Sequence, residues 1–170
     1  RTVIFGHLPS ENPAEIAAQP GIDYVLSGEP EETLLDLSKQ LSEGCSEPQM
    51  PGLVFINAKG QLIVGPPASR IEGLEALPFP DHRLVNLNDY NEAFVPRPIG
   101  VVTSARGCPY SCSFCVRAYG RKMAFRSWQN LAAELRQLWD GGIRNVRFLD
   151  DTFTLERDRI EKLCRWLQVE

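Results

Sequence analysis

Strand-like and helix-like stretches alternate along this chain on either side of a proline-dense segment, and that order confines it to the α/β class. Residues 2–5 (TVIF) form a β-branched and aromatic run that ends at Gly6. Asn12 before Pro13 puts a cap and a first-turn proline at the start of a short helix reaching about Ala18. Pro20-Gly21 stops it, and 23–26 (DYVL) reads as the next strand. Residues 27–30 (SGEP) turn into a helix from about Glu31 to Leu41, with carboxylates at its start, where the dipole favours them. Leu34, Leu37 and Leu41 share a face of that helix, and Gly44 ends it. Residues 53–56 and 61–64 flank Asn57-Ala58-Lys59-Gly60 as a hairpin. Over residues 1–65 this order predicts a parallel sheet with helices on its faces.

From 66 to 98 the character changes. Six of the thirteen prolines fall here, and Leu77-Pro78-Phe79-Pro80-Asp81 can be neither helix interior nor central strand. The segment reads as an extended connector with apolar anchors at Leu77, Phe79 and Tyr90. Alternation resumes over 99–170. A strand at 101–104 leads into a long loop to about Phe125, and Ser127 caps a helix over 128–140. Trp128, Leu131, Leu135, Leu138 and Trp139 are spaced to share its inner face, and Gly141-Gly142 terminates it. Residues 145–149 (NVRFL) form a second strand, ending at Asp150-Asp151. A final helix opens near Thr154 with Ile160, Leu163, Cys164 and Leu167 as its apolar stripe. The chain ends there, after two βα units of an architecture that needs more.

Composition narrows the function classes. With 43% apolar residues the chain can bury a core, and a net charge of −4 without a basic run argues against nucleic acid as a partner. The longest apolar runs, such as 53–56 and 99–102, are far too short to span a bilayer. Arg1 leads directly into a strand pattern with no leader, and the missing initiator Met reads as a piece of a longer, cytoplasmic protein.

Three of the five cysteines, Cys108, Cys112 and Cys115, fall within eight residues, while Cys45 and Cys164 stand apart. A secreted disulfide framework would spread its cysteines along the chain, so the cluster reads as a metal site in a reducing compartment. The spacing C-x3-C-x2-C can hold three corners of an iron–sulfur cubane. Zinc would need a fourth ligand, for which only His82, Cys45 and Cys164 are candidates, all distant in sequence. A redox dithiol is the remaining alternative. Arg106 and Arg117 flank the triplet as cations that would suit an anionic cluster. Cys164 on an apolar stripe reads as a small hydrophobe, and Phe114 as either a core aromatic beneath the loop or a contact to the bound group.

Residues 103–115 (TSARGCPYSCSFC) closely resemble the cluster loop of radical S-adenosylmethionine enzymes, whose pattern is C-x3-C-x-aromatic-C, with Phe114 in the aromatic slot. The resemblance implies a [4Fe–4S] cluster on Cys108, Cys112 and Cys115, with S-adenosylmethionine chelating the open iron through its amine and carboxylate. It further implies reductive cleavage to a 5′-deoxyadenosyl radical, a small-molecule substrate, and a one-electron reductant such as a flavodoxin or ferredoxin. The implied fold is a partial TIM-type barrel with the cluster loop after its first strand. Arg126, Ser127 and Glu134 resemble the family's first barrel helix, and residues 146–154 its second strand and following loop in one subset. Where most of the superfamily has a glycine–glycine–glutamate pattern contacting the methionyl amine, this chain has Asp150-Asp151. Asp150 is the first candidate for that ammonium and Asp151 the second, with turn-forming or capping roles as the alternative.

Residues 27–34 (SGEPEETL), the connector and residues 150–154 (DDTFT) also resemble cobalamin-binding radical enzymes, in which a Rossmann-like corrinoid domain precedes the barrel. That implies the end of such a domain over 1–65, a connector over 66–98 and the truncated start of the barrel over 99–170. The D-x-H-x-x-G signature of some corrinoid domains is not in this chain, so cobalamin binding rests on arrangement and His7 is not assigned to cobalt. The implied reaction is methyl transfer, or ring formation or rearrangement, at an unactivated carbon. Without the remaining barrel strands, the chain alone is expected to be inactive. The alternatives are a radical enzyme without cobalamin and a non-catalytic, metal-stabilised binding module.

Overall fold

The structure is a computed structural model that describes residues 1–170 except 91, 93, 116–118 and 170. The chain divides into two compact units, Arg1–Ile71 with Tyr110–Arg121, and Glu72–Pro109 with Lys122–Glu170.

The first unit is built on β1 (Val3–Phe5), α1 (His7–Glu11), α2 (Pro13–Ala17), β2 (Tyr24–Leu26), α3 (Pro30–Ser42), β3 (Leu53–Ile56) and β4 (Leu62–Val64). The strands form one sheet in the order β1-β2-β3-β4. The helices cover both faces as expected. Ala17 of α2 packs on Val25 and Val54 on one side, and Leu37 of α3 packs with Tyr24, Leu26, Leu53 and Phe55 on the other.

The expected parallel sheet is corrected at β3. Only β1 and β2 run parallel, while β3 pairs antiparallel with both β2 and β4. The reason lies in the chain after α3. It runs back along the helix until Thr33 Oγ1 donates to the Pro51 carbonyl (3.0 Å) and Ser27 N donates to the Gly52 carbonyl (2.8 Å). The chain therefore enters β3 beside the exit of β2, which forces the antiparallel sense. Gly52 is required at this crossing. It has φ +77°, and a Cβ there would lie 2.7 Å from the Ser27 carbonyl oxygen.

Three finer differences follow from packing. On α3 the buried line is Thr33 and Leu37 with half-buried Leu41, and Leu34 turns outward, because Thr33 is drawn inward to Pro51. The hairpin forms as read, with Asn57 Oδ1 accepting from the Lys59 and Gln61 amides. Helix α1 carries no periodic signal. Its Pro9 sits in the first turn, where a missing N–H costs no intrahelical bond.

The second unit contains β5 (Ile99–Val102), β6 (Ala105–Arg106), β7 (Ala124–Phe125), α4 (Trp128–Asp140), β8 (Asn145–Phe148) and α5 (Arg157–Leu167). Strands β5 and β8 are parallel, in register from Ile99–Asn145 to Val102–Phe148, with α4 as the crossover. Ser127 caps α4 by accepting from Asn130 N (3.3 Å). Leu131, Leu135 and Leu138 are buried with Val102, Ile143 and Leu163. Trp139, expected on that face, is 58% exposed and lies under the Arg144 guanidinium instead. Cys164, read as a small hydrophobe, is exposed, and only Leu163 and the half-buried Ile160 and Trp166 turn inward from that helix's apolar set. The connector holds single 3₁₀ turns at Leu74–Ala76, His82–Leu84 and Leu87–Asp89.

Candidate metal centre

The expected strand at 101–104 stops at Val102, and the reason is local chemistry. The Ser104 amide donates to Asp150 Oδ1 (2.6 Å) rather than to a neighbouring strand, and the Ala105 amide donates to the same oxygen (3.2 Å). The Ser104 hydroxyl donates to Asp150 Oδ2. Asp150 stands just past β8, so its carboxylate ties together the carboxyl ends of both parallel strands.

The chain then enters the cysteine loop through β6, which pairs antiparallel with β7 as Ala105–Phe125 and Arg106–Ala124. This two-rung ladder closes residues 107–123 into a loop. Cys108 is half-buried, and Cys112 and Cys115 are exposed. None of the three is in a disulfide, and the Cys115 amide donates to the Cys112 carbonyl (3.3 Å) in a turn. Phe114 is 89% exposed, so it does not pack beneath the loop as a core aromatic. Arg117 lies outside the described residues. Among the described residues, no three His, Cys, Asp or Glu side chains converge at metal-binding distance. The donor set is three soft thiols with neither histidine nor carboxylate in the triplet, which fits iron–sulfur ligation in its chemistry.

The root of the loop is held by buried charge. Arg126, at the end of β7, donates its amide to Ser104 O (3.0 Å) and its Nη1 to Thr103 O (2.9 Å), while its Nε donates to Asn130 Oδ1 (2.6 Å). The same Nη1 pairs with Glu134 Oε2 at 2.5 Å, with the two side chains only 9% and 2% exposed. Arg159 of α5 donates its Nη1 to Ser104 Oγ (2.9 Å) and Ser104 O (3.2 Å), and its Nη2 to Phe153 O (3.2 Å). Burial pushes the Arg159 guanidinium below its usual range, and the carboxylates of Asp150 and Glu156 act against that shift. Glu75 of the connector accepts from the Ser127 amide (2.5 Å), and hydrogen bonding to the Ser127 hydroxyl, followed by that to its amide, holds the Glu75 carboxyl below the usual value.

Sequence reasoning placed Cys108, Cys112, Cys115 and Asp150 at the ends of the correct strands but missed Ser104, Arg159 and Glu75. A signal for Arg159 does exist: it lies four residues before buried Leu163, on the inward face of α5. Of the acidic pair, Asp150 turns toward Ser104 and Asp151 is exposed.

A parallel βαβ unit whose first strand runs into a three-thiol loop defines the class: an α/β chain built to present soft ligands at a strand's carboxyl end. The family model described as the Radical SAM superfamily matches residues 102–170, and that part of the chain belongs to the superfamily. An uncharacterised methyltransferase of Pyrococcus horikoshii is 35% identical over 143 residues, covering 82% of this chain and 30% of the relative. The anaerobic magnesium-protoporphyrin IX monomethyl ester cyclase of Cereibacter sphaeroides is 27% identical over 154 residues, covering 85% and 24%. Among solved structures, the radical S-adenosylmethionine methyltransferase TsrM of Kitasatospora setae, with cobalamin and a [4Fe–4S] cluster bound, aligns with a TM-score of 0.68 and 25% identity. That alignment covers 97% of this chain and 33% of the other. The chain thus spans about a third or less of the length of these relatives. No helix among the described residues is long and apolar enough to cross a membrane.

Proposed function

We propose that this chain is the cluster-bearing portion of a cobalamin-dependent radical S-adenosylmethionine enzyme that performs methyl transfer or ring formation at an unactivated carbon of a small molecule. The observation that carries the reading is the cysteine triplet Cys108, Cys112 and Cys115, none in a disulfide, on the loop after β5 and inside the segment that matches the superfamily. Those thiolates would hold a [4Fe–4S] cluster. When bound and reduced, the cluster supplies the electron that splits a carbon–sulfur bond of S-adenosylmethionine. Exposed Phe114 and Asp151 are the residues available to contact that cosubstrate, Asp151 through charge on its ammonium group.

Methyl transfer comes first because the Pyrococcus relative and TsrM are both described as methyltransferases, and the Cereibacter relative supports ring formation as the second outcome. Residues 1–65 are read as the end of a cobalamin-binding-type domain, 66–98 as the connector, and 99–170 as the start of the barrel. Likeness to TsrM over 97% of the chain supports that arrangement. A flavodoxin- or ferredoxin-type reductant and a cytoplasmic location complete the reading.

Anaerobic reconstitution with iron and sulfide tests it, with electron paramagnetic resonance recorded before and after S-adenosylmethionine is added. About four irons per chain and a signal that shifts on addition are expected, with both lost in Cys112→Ala. Stoichiometric zinc without iron would overturn the reading in favour of a structural metal module. Retention of added cobalamin on a sizing column separates the cobalamin-dependent reading from a radical enzyme without it.

A further inference from the structure

We infer that Asp150 is a positioning residue for the cysteine loop, acting through Ser104 and Arg159, rather than a contact to the cosubstrate ammonium. The inference rests on the cluster-binding reading above. Ser104 is fully buried, and every polar atom it has is bound by a group distant in sequence. Its amide and hydroxyl donate to Asp150, its hydroxyl and carbonyl oxygens accept from Arg159, and its carbonyl also accepts the Arg126 amide. Because the hydroxyl proton points to Asp150, Arg159 must meet an oxygen lone pair, so the three groups have one mutually consistent arrangement. Phe125 of β7 lies beneath the Arg159 guanidinium at 5.2 Å from its ring centroid, which draws the closing strand into the same network.

Four residues beyond Ser104 comes Cys108. The polypeptide therefore enters the thiol loop from a root whose direction is set by an aspartate on one strand end and an arginine on α5. Groups that hold a ligand's support in place are worth about tenfold to a hundredfold in metal affinity. Asp150 uses both oxygens on Ser104 and Ala105, whereas its neighbour Asp151 faces outward. The two aspartates are thus separable by mutation.

Asp150→Asn keeps an oxygen for the two amides but sets N–H donors against the Ser104 hydroxyl and removes one of the two carboxylates, Asp150 and Glu156, that balance the Arg159 charge. The readout is the rate at which excess ferrous chelator removes iron from the reconstituted, S-adenosylmethionine-free chain. Asp150→Asn is expected to lose iron roughly tenfold or more faster than wild type. Ser104→Ala should fall between the two, and Asp140→Asn, an exposed acidic change at the end of α4, should match wild type. Leu138→Ala, a core change on α4 remote from Ser104, serves as the stability control. At an equal loss of melting temperature it should retain iron better than Asp150→Asn, and equal loss of iron would overturn the inference. If Asp150→Asn does not fold, Ser104→Ala carries the same comparison. Should wild type take up iron while the Asp150 and Ser104 variants release it at the wild-type rate, this inference fails and the cluster reading stands. Should wild type take up no iron, both fail.

Discussion

Replacing Glu134 by leucine removes the carboxylate that balances Arg126 at the base of the cysteine loop. The two side chains are 2% and 9% exposed and 2.5 Å apart, so neither has bulk water to fall back on. In Glu134→Leu the guanidinium keeps its acceptors at Thr103 O and Asn130 Oδ1 but loses its counter-charge. Stranding one member of a buried pair costs about 3–5 kcal/mol. The double variant Arg126→Met, Glu134→Leu strands no charge. It forfeits the Arg126 side-chain hydrogen bonds, at roughly 1 kcal/mol, and replaces the pair with apolar volume. The double variant should therefore be about 2–4 kcal/mol more stable than Glu134→Leu alone, and with Arg126→Met, which strands Glu134 in turn, closing the cycle, the two single costs should be strongly non-additive. Urea unfolding followed by circular dichroism measures it, provided the denaturant slope is unchanged. A Glu134→Leu cost below about 1 kcal/mol, or a double variant as costly as the sum of its singles, would refute the claim that burial makes the charges interdependent.

Gly52→Ala should cost about 2 kcal/mol or more, since it places a Cβ 2.7 Å from the Ser27 carbonyl at a left-handed φ; thermal melts of wild type and variant check it. Glu75→Gln should change the acid limb of stability. The Ser127 hydrogen bonds lower the Glu75 pKa below its ordinary 4.5, so its contribution is fully present above that pH and fades as pH falls through the lowered value. The stability gap between wild type and variant should therefore be constant from neutral pH to about 5 and close in stronger acid, and a gap that widens there would contradict the sign. Arg144→Ala should quench or shift Trp139 fluorescence while leaving the melting temperature nearly unchanged, because the guanidinium lies on an exposed indole.

What was legible in the sequence was whatever short covalent spacing determines. The cysteine triplet, the Ser127 cap, the Gly141-Gly142 stop and the apolar face of α4 are local patterns, and each can be read without knowing what lies opposite. The orientation of β3 was not legible. It depends on how the aperiodic segment after α3 folds back to Thr33 and Ser27, a tertiary choice with no repeat to betray it. Trp139 and Cys164 misled because a helical stripe says which residues line up, not how wide the covering surface is. Asp150 was picked out as a carboxylate at a strand end, but its partner is a buried serine just past the end of the other strand. Only the parallel pairing of β5 and β8 brings the two together.

The network around Ser104 also sets an order of events during synthesis. A ribosome releases the chain from its N-terminus, so Cys108, Cys112 and Cys115 emerge well ahead of Asp150 and later still Arg159. Until those two follow, the thiols hang on a strand end with nothing to aim it, free to meet stray metal or oxidant. On the proposed cluster reading, loading would be deferred until the second βα unit is complete, and a nascent chain stalled between Cys115 and Asp150 would be the stage most open to mismetallation.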